Sequence, residues 1–284
     1  MSEIKQKLLV VDGSNLLFQM FYGMPSRILG KTGKPVHGTL GFVGALLKML
    51  RLMRPTRAVV LFDGECHNER KDVDENYKAN RPDYSQMPEE ETPFSQLPDI
   101  WAALDYLKIC HAETTVCETD DVVAAYAFRY GKTQKIVISS FDSDFFQLIT
   151  KNVSVFRYRG DKSILCDEDY VCEKFGVEPC QYADYKSLVG DNADNVKGVR
   201  GVGPKTAAAL IRQFGDIQTL LENVDRIEKP SIRKAIKEER ERILVNQRLI
   251  KLCGCAELPF DLKELAYHYA GEKTGEVLSA LGIL

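Results

Sequence analysis

The sequence predicts an α/β fold in which a mostly parallel central sheet is flanked by helices. Three short runs, at residues 7–12, 57–63 and 135–140, are rich in Val, Ile and Leu and lack a clean polar–apolar alternation. Such runs are typical of strands that are buried on both faces. Helical patterns lie between them, at residues 40–53, 96–108 and 120–130. Strand and helix therefore alternate along the chain, as they do in a parallel sheet.

Two segments differ from this pattern. Residues 64–95 have few aliphatic and many charged side chains. They indicate a long loop, or a loop with short helices, inserted after the second strand. We call residues 64–95 the charged insertion. From about residue 168 the pattern is helical to the C-terminus, so we expect an α/β core over residues 1–180 and a helical region over residues 181–284.

Composition narrows the class of protein. The 284 residues are 44% hydrophobic and 28% charged, as in ordinary soluble globular proteins. No apolar run reaches the ~18 residues of a membrane span, and residues 1–7 do not resemble a signal peptide. We therefore expect a monomeric cytoplasmic protein with no membrane contact. The cysteines contain no Cys-x-x-Cys pair, which indicates reduced thiols and no zinc ribbon; they are Cys66, Cys110, Cys117, Cys166, Cys172, Cys180, Cys253 and Cys255.

Acidic residues stand at the ends of all three predicted strands. Asp12 and Asp63 end the first two runs, and Asp142 follows the third. A single Asp after a strand is usually a turn former or a helix cap. Ligands of open α/β sheets bind beyond the carboxyl ends of the strands, however, and three acids at equivalent places favour a shared site.

Further acids occur in tight groups, and each group alone suits a helix cap or an Asx-turn. If the groups converge, like charges 4 Å apart repel by roughly 4 kcal/mol at an effective dielectric constant near 20. Such a cluster needs either protonation or hard cations, and oxygen ligands select Mg²⁺ or Mn²⁺. Two such ions are the usual apparatus of phosphodiester hydrolysis by water. The grouped acids are Glu118, Asp120, Asp121, Asp144, Asp191 and Asp194.

The net charge of −3 is unusual for a protein that binds nucleic acid. Eight of these nine acids, all except Asp121, form the proposed cluster, and without them the remaining chain has a net charge of +5. Residues 196–240 contain ten basic and six acidic side chains, so positive charge is concentrated away from the strand ends.

Seven motifs resemble the 5′ nuclease domain at the N-terminus of bacterial DNA polymerase I and its phage and flap-endonuclease relatives. They follow the order of that family and cover most of the first 215 residues. The motifs are LLVVDGSNLLF (8–18), VVLFD (59–63), YKANRP (77–82), ETDDVVA (118–124), FDSDFFQL (141–148), LVGDNADN (188–195) and GVRGVGPKTAAALI (198–211).

The resemblance implies a PIN-like 5′ nuclease fold and two groups of metal ligands. The charged insertion resembles the helical arch of the family, through which a 5′ single strand passes. Lys78 and Arg81 match the basic residues of the arch and are expected at the scissile phosphate, and Tyr77 is expected to stack on an unpaired base. The alternative is that Lys78 and Arg81 are solvated surface charges. The first group of ligands is Asp12, Asp63, Glu118 and Asp120; the second is Asp142, Asp144, Asp191 and Asp194, with Asp121 beside them.

Residues 198–206 form a glycine-rich turn that leads into a predicted helix, and this turn lacks the spacing of a P-loop. The resemblance implies a helix–three-turn–helix at about residues 192–215 that holds duplex DNA, often with a bound K⁺. The alternative is that this region is an ordinary helical cap of the domain with a solvated basic face. The residues expected to contact DNA there are Lys197, Arg200, Gly201, Gly203, Lys205 and Thr206.

Taken together, the sequence predicts a Mg²⁺-dependent nuclease that cuts DNA at 5′ ends, flaps and nicks, with RNA primers as further substrates and Mn²⁺ as a substitute ion. Two other hypotheses remain open. One is a junction-binding paralogue with vestigial nuclease activity, and the other is a metal-dependent ribonuclease.

Overall fold

The computed structural model of the protein describes residues 6–64 and 69–284. Cys66 therefore lies outside the described residues. A six-stranded sheet forms its centre. The strands are β1 (Lys7–Asp12), β2 (Arg57–Asp63), β3 (Cys110–Thr114), β4 (Lys135–Ser139), β5 (Val153–Arg157) and β6 (Ile164–Cys166). Their spatial order is β3-β2-β1-β4-β5-β6, and only β6 runs antiparallel to its neighbour. The mostly parallel sheet that the sequence predicts is confirmed.

Helices cover both faces of this sheet and form the C-terminal part of the chain. They are α1 (Gly13–Gly23), α2 (His37–Met53), α3 (Glu69–Val73), α4 (Leu97–Tyr106), α5 (Thr119–Tyr130), α6 (Glu168–Phe175), α7 (Tyr182–Val189), α8 (Pro204–Phe214), α9 (Ile217–Glu222), α10 (Pro230–Glu238), α11 (Arg240–Ile250) and α12 (Thr274–Ala280). Two further short strands, β7 (Gly190–Asp191) and β8 (Val196–Lys197), pair as an antiparallel hairpin between α7 and α8.

The core has one layer on each face of the sheet, which explains why the strand sequences do not alternate. Leu8 and Val10 of β1 pack into a cluster with residues of α5, α7 and α8, whereas Leu9 and Val11 pack with residues of α2, α4 and α12. All four β1 side chains are fully buried. Successive side chains of a strand point to opposite faces, so a strand covered on both sides is apolar throughout.

The expectation of helix throughout the C-terminal region is wrong for residues 251–273, which contain no helix. This segment returns across the start of β2 instead. The backbone N–H of Ala58 donates to the carbonyl of Leu265 at 3.0 Å, and that of Tyr267 donates to Thr56 at 3.0 Å. The bonds lead the chain to α12, whose Val277 and Leu278 join the core layer beneath α2.

The described part of the charged insertion consists of α3 followed by turns and short 3₁₀ segments. This agrees with the expectation of a loop with short helices. Within the described ranges, we find no helix that is both long and apolar enough to cross a bilayer.

Candidate metal centre

Three aspartates converge at one edge of the sheet. Asp12 is the last residue of β1, Asp63 is the last residue of β2, and Asp142 follows the end of β4 by three residues. Since β1 lies between β2 and β4, parallel pairing brings the three ends together. The Asp12 carboxylate accepts a hydrogen bond from the Asn15 backbone N–H at 2.9 Å, which caps α1, and one from Ser140 Oγ at 2.8 Å. Burial, reinforced by the charge of Asp63, raises the pKa of Asp12 to about 7.

The start of α5 brings two more acids to this edge. Glu118 is the N-cap residue, and Asp120 lies in the first turn. The Thr119 backbone N–H donates to Asp63 Oδ1 at 3.2 Å, which joins the helix start to the end of β2. Burial raises the pKa of Asp120 well above its ordinary value, and the nearby charge of Asp142 adds to the effect. Both acids thus stand at the N-terminus of α5, where negative charge is favoured, and also belong to the cluster.

Asp144, Asp191 and Asp194 form the most compact acidic group. A carboxylate oxygen from each lies within 4.8 Å of the other two. Asp144 begins a 3₁₀ segment, and its backbone N–H donates to Asp142 Oδ1 at 2.8 Å, which links this group to the strand-end acids. Burial raises the pKa of Asp144 to about 7. The hairpin of β7 and β8 places Asp191 and Asp194 opposite Asp144.

A buried lysine that the sequence analysis did not identify lies within this acidic group. Lys186 of α7 is 6% exposed, and its ammonium contacts Asp144 and Asp191. Burial lowers the pKa of Lys186, but the charges of Asp144, Asp142 and Asp191 outweigh it, so the pKa is raised. The available signal was a lone Lys on a largely buried helix, five residues before Asp191.

The charged insertion supplies further cations to the cluster. Lys78 Nζ donates to Glu118 Oε1 at 2.6 Å and lies 4.0 Å from Asp120 Oδ2. Arg81 Nη2 donates to Asp194 Oδ1 at 3.0 Å. Lys78 is held firmly, because its backbone N–H also donates to the Asp194 carbonyl at 3.0 Å. The structure therefore places both predicted basic residues on the acids, and the alternative of solvated surface charges does not fit Lys78.

Arg70 is a second cation that sequence reasoning missed. Its guanidinium donates to Glu118 Oε2 at 2.5 Å and to both carboxylate oxygens of Asp121 at 2.8 and 2.9 Å. Asp121 also accepts from the Cys253 backbone N–H at 3.0 Å. Asp121 thus makes its contacts with Arg70 and the segment after α11, beside the compact acidic group rather than in it.

Tyr77, which is expected to stack on an unpaired base, lies enclosed beside the acids in this structure. The residue is 3% exposed. Its hydroxyl oxygen lies 3.4 Å from Glu118 Oε2 and 3.4 Å from Asp194 Oδ2, where it donates toward the carboxylates. A ring that is enclosed in this way cannot stack on a base without leaving its site.

The glycine-rich turn lies between the hairpin and α8. Gly201 has φ of +81°, a conformation that side chains with a Cβ rarely adopt. Gly198 lies so close to α7 that an added Cβ would stand 2.1 Å from the Val189 carbonyl oxygen. The backbone of the turn is therefore fixed by glycine. The predicted contact residues Lys197, Arg200, Gly201, Gly203 and Lys205 are all exposed, and Thr206 is half-buried.

The donor set of the cluster fits hard divalent cations. All of its acidic ligand candidates offer carboxylate oxygens, which are the ligands that Mg²⁺ and Mn²⁺ prefer. The carboxylate oxygens of the compact group lie within 4.8 Å of one another, and two unit charges at that limit repel by about 3.5 kcal/mol at an effective dielectric constant near 20. The raised pKa values of Asp12 and Asp144 report the same crowding of charge and burial.

Comparisons with known proteins agree with this geometry. The family model described as 5′-3′ exonuclease, N-terminal resolvase-like domain, matches residues 7–176. The model described as 5′-3′ exonuclease, C-terminal SAM fold, matches residues 177–273. The 5′-3′ exonuclease of Aquifex aeolicus is 33% identical over 259 residues, which are 90% of this chain and 84% of that protein.

DNA polymerase I of Rhizobium leguminosarum is 35% identical over 266 residues, which are 91% of this chain. The matched part is 26% of that polymerase, so the chain spans about a quarter of its length. Among solved structures, the flap endonuclease of bacteriophage T5 in complex with DNA and metal ions has a TM-score of 0.71 at 25% identity, covering 86% of this chain and 89% of that chain. The catalytic core of Rad2 with DNA substrate has a TM-score of 0.62 at 16% identity, covering 98% of this chain and 86% of that chain, which shows the fold alone.

Proposed function

Because the chain belongs to the 5′-3′ exonuclease family, we propose that it hydrolyses phosphodiester bonds of DNA at 5′ ends and at 5′-flap junctions. The observation that carries the proposal is the cluster of carboxylates at the carboxyl ends of the strands, in which oxygens of Asp144, Asp191 and Asp194 lie within 4.8 Å of one another. The products are 5′-phosphate and 3′-hydroxyl ends, and the protein acts as a monomer.

Two groups of acids would hold the ions. Mg²⁺ is the proposed cofactor, and Mn²⁺ is expected to substitute for it. When bound, two such ions activate water and stabilise charge on the leaving oxygen. The residues themselves set the positions, since hydrogen bonds from Ser140, Thr119 and the Asp144 backbone orient individual carboxylates. The first group is Asp12, Asp63, Glu118 and Asp120, and the second is Asp142, Asp144, Asp191 and Asp194.

Lys78 and Arg81 would bind the scissile phosphate. Both side chains already lie at the acids, and Lys78 is held there by two hydrogen bonds. A phosphate entering the cluster would become an additional anionic partner for these cations. Fixed positive groups beside a reacting phosphate stabilise the charge that develops in the transition state.

The glycine-rich turn would hold the duplex. The basic residues Lys197, Arg200 and Lys205 lie in or beside this turn and are exposed, and the turn ends at the N-terminus of α8. Backbone amides at a helix N-terminus bind phosphate, and such contacts fix orientation without reading sequence. A K⁺ ion at this turn is part of the proposal.

A 5′-labelled flap DNA incubated with the protein and Mg²⁺ tests this function. We expect fragments cut at or near the junction, together with a ladder of short products from a nicked duplex. EDTA should abolish both, and Mn²⁺ should restore them. A matched flap made of RNA serves as the second substrate.

Each outcome of this experiment separates the hypotheses. Binding without any product in Mg²⁺ or Mn²⁺ would contradict the nuclease proposal and favour a junction-binding protein. Cutting of RNA with no cutting of DNA would favour a ribonuclease. Cutting in EDTA at the same rate would rule out the metal-dependent chemistry.

A further inference from the structure

A cleft lies beside the acidic cluster, at the carboxyl end of β5. It has a volume of about 550 Å³, which is in the size range of small-ligand sites. Its lining includes Asn15, Phe18 and Gln19 of α1 together with Phe141, Tyr158 and Arg159. None of the residues that line it in the described chain is acidic, in contrast to the adjoining metal centre.

Hydrogen bonds between α1 and the strand ends build the walls of this cleft. Gln19 Nε2 donates to the Tyr158 carbonyl at 2.7 Å. The Phe141 backbone N–H donates to Asn15 Oδ1 at 3.0 Å, and Arg157 Nη2 donates to the Phe141 carbonyl at 2.7 Å. The cleft is therefore preformed, because each wall is fixed to its neighbour by at least one bond.

The cleft combines a cation with aromatic rings. The guanidinium carbon of Arg159 lies 5.6 Å from the centre of the Phe141 ring, a cation–π distance that holds the arginine at the wall. Phe18 and Tyr158 add further ring surface. Arginine binds phosphate, and aromatic or guanidinium planes accept a nucleobase or sugar. This pairing of chemistries suits one nucleotide unit.

The position of the cleft relates it to the metal centre. Phe141 directly precedes Asp142, and Asn15 donates its backbone N–H to Asp12. The insertion cation Lys78 contacts Glu118, which precedes α5 and follows β3. The cleft follows β5. In the sheet, β3 and β5 lie on opposite sides of β1, so the metal centre lies between the insertion cation and the cleft.

We propose that this cleft is a nucleotide subsite, in which Arg159 binds a phosphate of the substrate strand that adjoins the scissile bond on the side away from the insertion cations. The Phe18 and Tyr158 rings contact the sugar and base of the same nucleotide. The inference rests on the proposed nuclease function and adds to it a residue that sets the register of the strand over the metal centre.

A binding cycle tests the contact without any chemistry. Flap DNAs that each carry one neutral methylphosphonate linkage, at successive positions around the junction, are titrated by fluorescence anisotropy in EDTA. For the unmodified protein, we expect affinity to fall about tenfold at the linkage that Arg159 contacts. Arg159→Ala should lose about tenfold on normal DNA but nothing more at that linkage, and its log–log salt slope should fall by about one. Arg159→Lys should keep part of the coupling.

Arg129→Ala is the matched control. Arg129 is exposed in the last turn of α5, and the other end of this helix lies at the metal centre. Its removal should therefore leave the methylphosphonate profile unchanged. An Arg159→Ala profile that keeps the full loss at every linkage would overturn the subsite, even if the protein cuts flap DNA. Absence of DNA binding by the unmodified protein would overturn the proposed function as well.

Discussion

Replacement of Lys186 by Met removes the buried positive charge from the compact acidic group while keeping a side chain of similar length. Lys186 is 6% exposed and contacts Asp144 and Asp191, which belong to the three acids within 4.8 Å of one another. Removing one partner from a buried ion pair costs about 3–5 kcal/mol, because the remaining charge stays buried without compensation. The repulsion that Lys186 offsets has the same size, since two carboxylate charges at 4.8 Å, the upper limit in this group, repel by about 3.5 kcal/mol at an effective dielectric constant near 20.

Protonation of Asp144 limits this cost at low pH. The pKa of Asp144 is about 7 even beside the lysine, and it rises further when the lysine is removed. The carboxyl group is then neutral at pH 5.5 and charged only at higher pH. We therefore expect Lys186→Met to lower the free energy of unfolding by about 3–5 kcal/mol at pH 8 in EDTA, and by about 1–2 kcal/mol at pH 5.5.

Urea unfolding in EDTA at the two pH values measures this difference. Lys234→Met is the matched control, since Lys234 is 74% exposed and lies 3.6 Å from Glu238 on the surface. The control should cost less than about 0.5 kcal/mol at either pH. An equal loss for Lys186→Met at both pH values, or a loss no larger than the control, would refute the charge-compensation reasoning.

Three further predictions concern other parts of the site. The pKa of Asp12 is raised from 3.8 to about 7 chiefly by burial, so the stability that its proton contributes is full below pH 4 and is lost as the pH rises through 7. Asp12→Asn, which carries no charge at any of these pH values, should therefore have a free energy of unfolding about 2–4 kcal/mol higher than that of the unmodified protein at pH 8 in EDTA. Parallel pH profiles of the two proteins in urea titrations would contradict this. Lys78→Ala, which removes the cation 2.6 Å from Glu118, should slow single-turnover cutting about 10²–10³-fold with under about threefold loss of flap affinity, and equal losses would make Lys78 a binding contact only. Gly201→Ala should lower the free energy of unfolding by about 1 kcal/mol and weaken duplex binding, because Gly201 has a φ of +81°. Gly203→Ala, at an ordinary φ of −86°, should change neither quantity. Similar unfolding curves for the two variants would contradict backbone strain at Gly201.

The fold and the strand-end acids could be predicted because they follow local rules. The first two strands were bounded correctly from their apolar runs, since a strand buried on both faces has no other pattern. Asp12, Asp63 and Asp142 followed from the rule that parallel strands present their carboxyl ends at one edge. The edge strand β3 was missed because its sequence, CHAET, is mostly polar and only partly buried.

The counter-charges could not be predicted, because they depend on contacts between distant parts of the chain. Lys186 meets Asp144 across 42 positions, and Arg70 meets Glu118 across 48. Tyr77 lies in the same motif as Lys78, yet its ring is enclosed while its neighbour bridges to the acids. Periodicity does not distinguish these cases, since nothing in a loop sequence states which side chain turns inward. The cleft at Arg159 likewise arises only when α1 and the end of β5 meet.

The central claim is that the carboxylate cluster performs metal-dependent cutting of DNA, and Asp142→Asn tests it most directly. The variant keeps the oxygen that accepts the Asp144 backbone N–H at 2.8 Å, so folding should be preserved. Single-turnover cutting of a 5′-flap DNA is measured against Mg²⁺ concentration, with Asp105→Asn, at a 78% exposed side chain, as the control. We predict that Asp142→Asn binds the flap within about threefold of the unmodified protein and cuts it on the order of 10³-fold more slowly at every Mg²⁺ concentration. Cutting by Asp142→Asn at the unmodified rate would contradict the account.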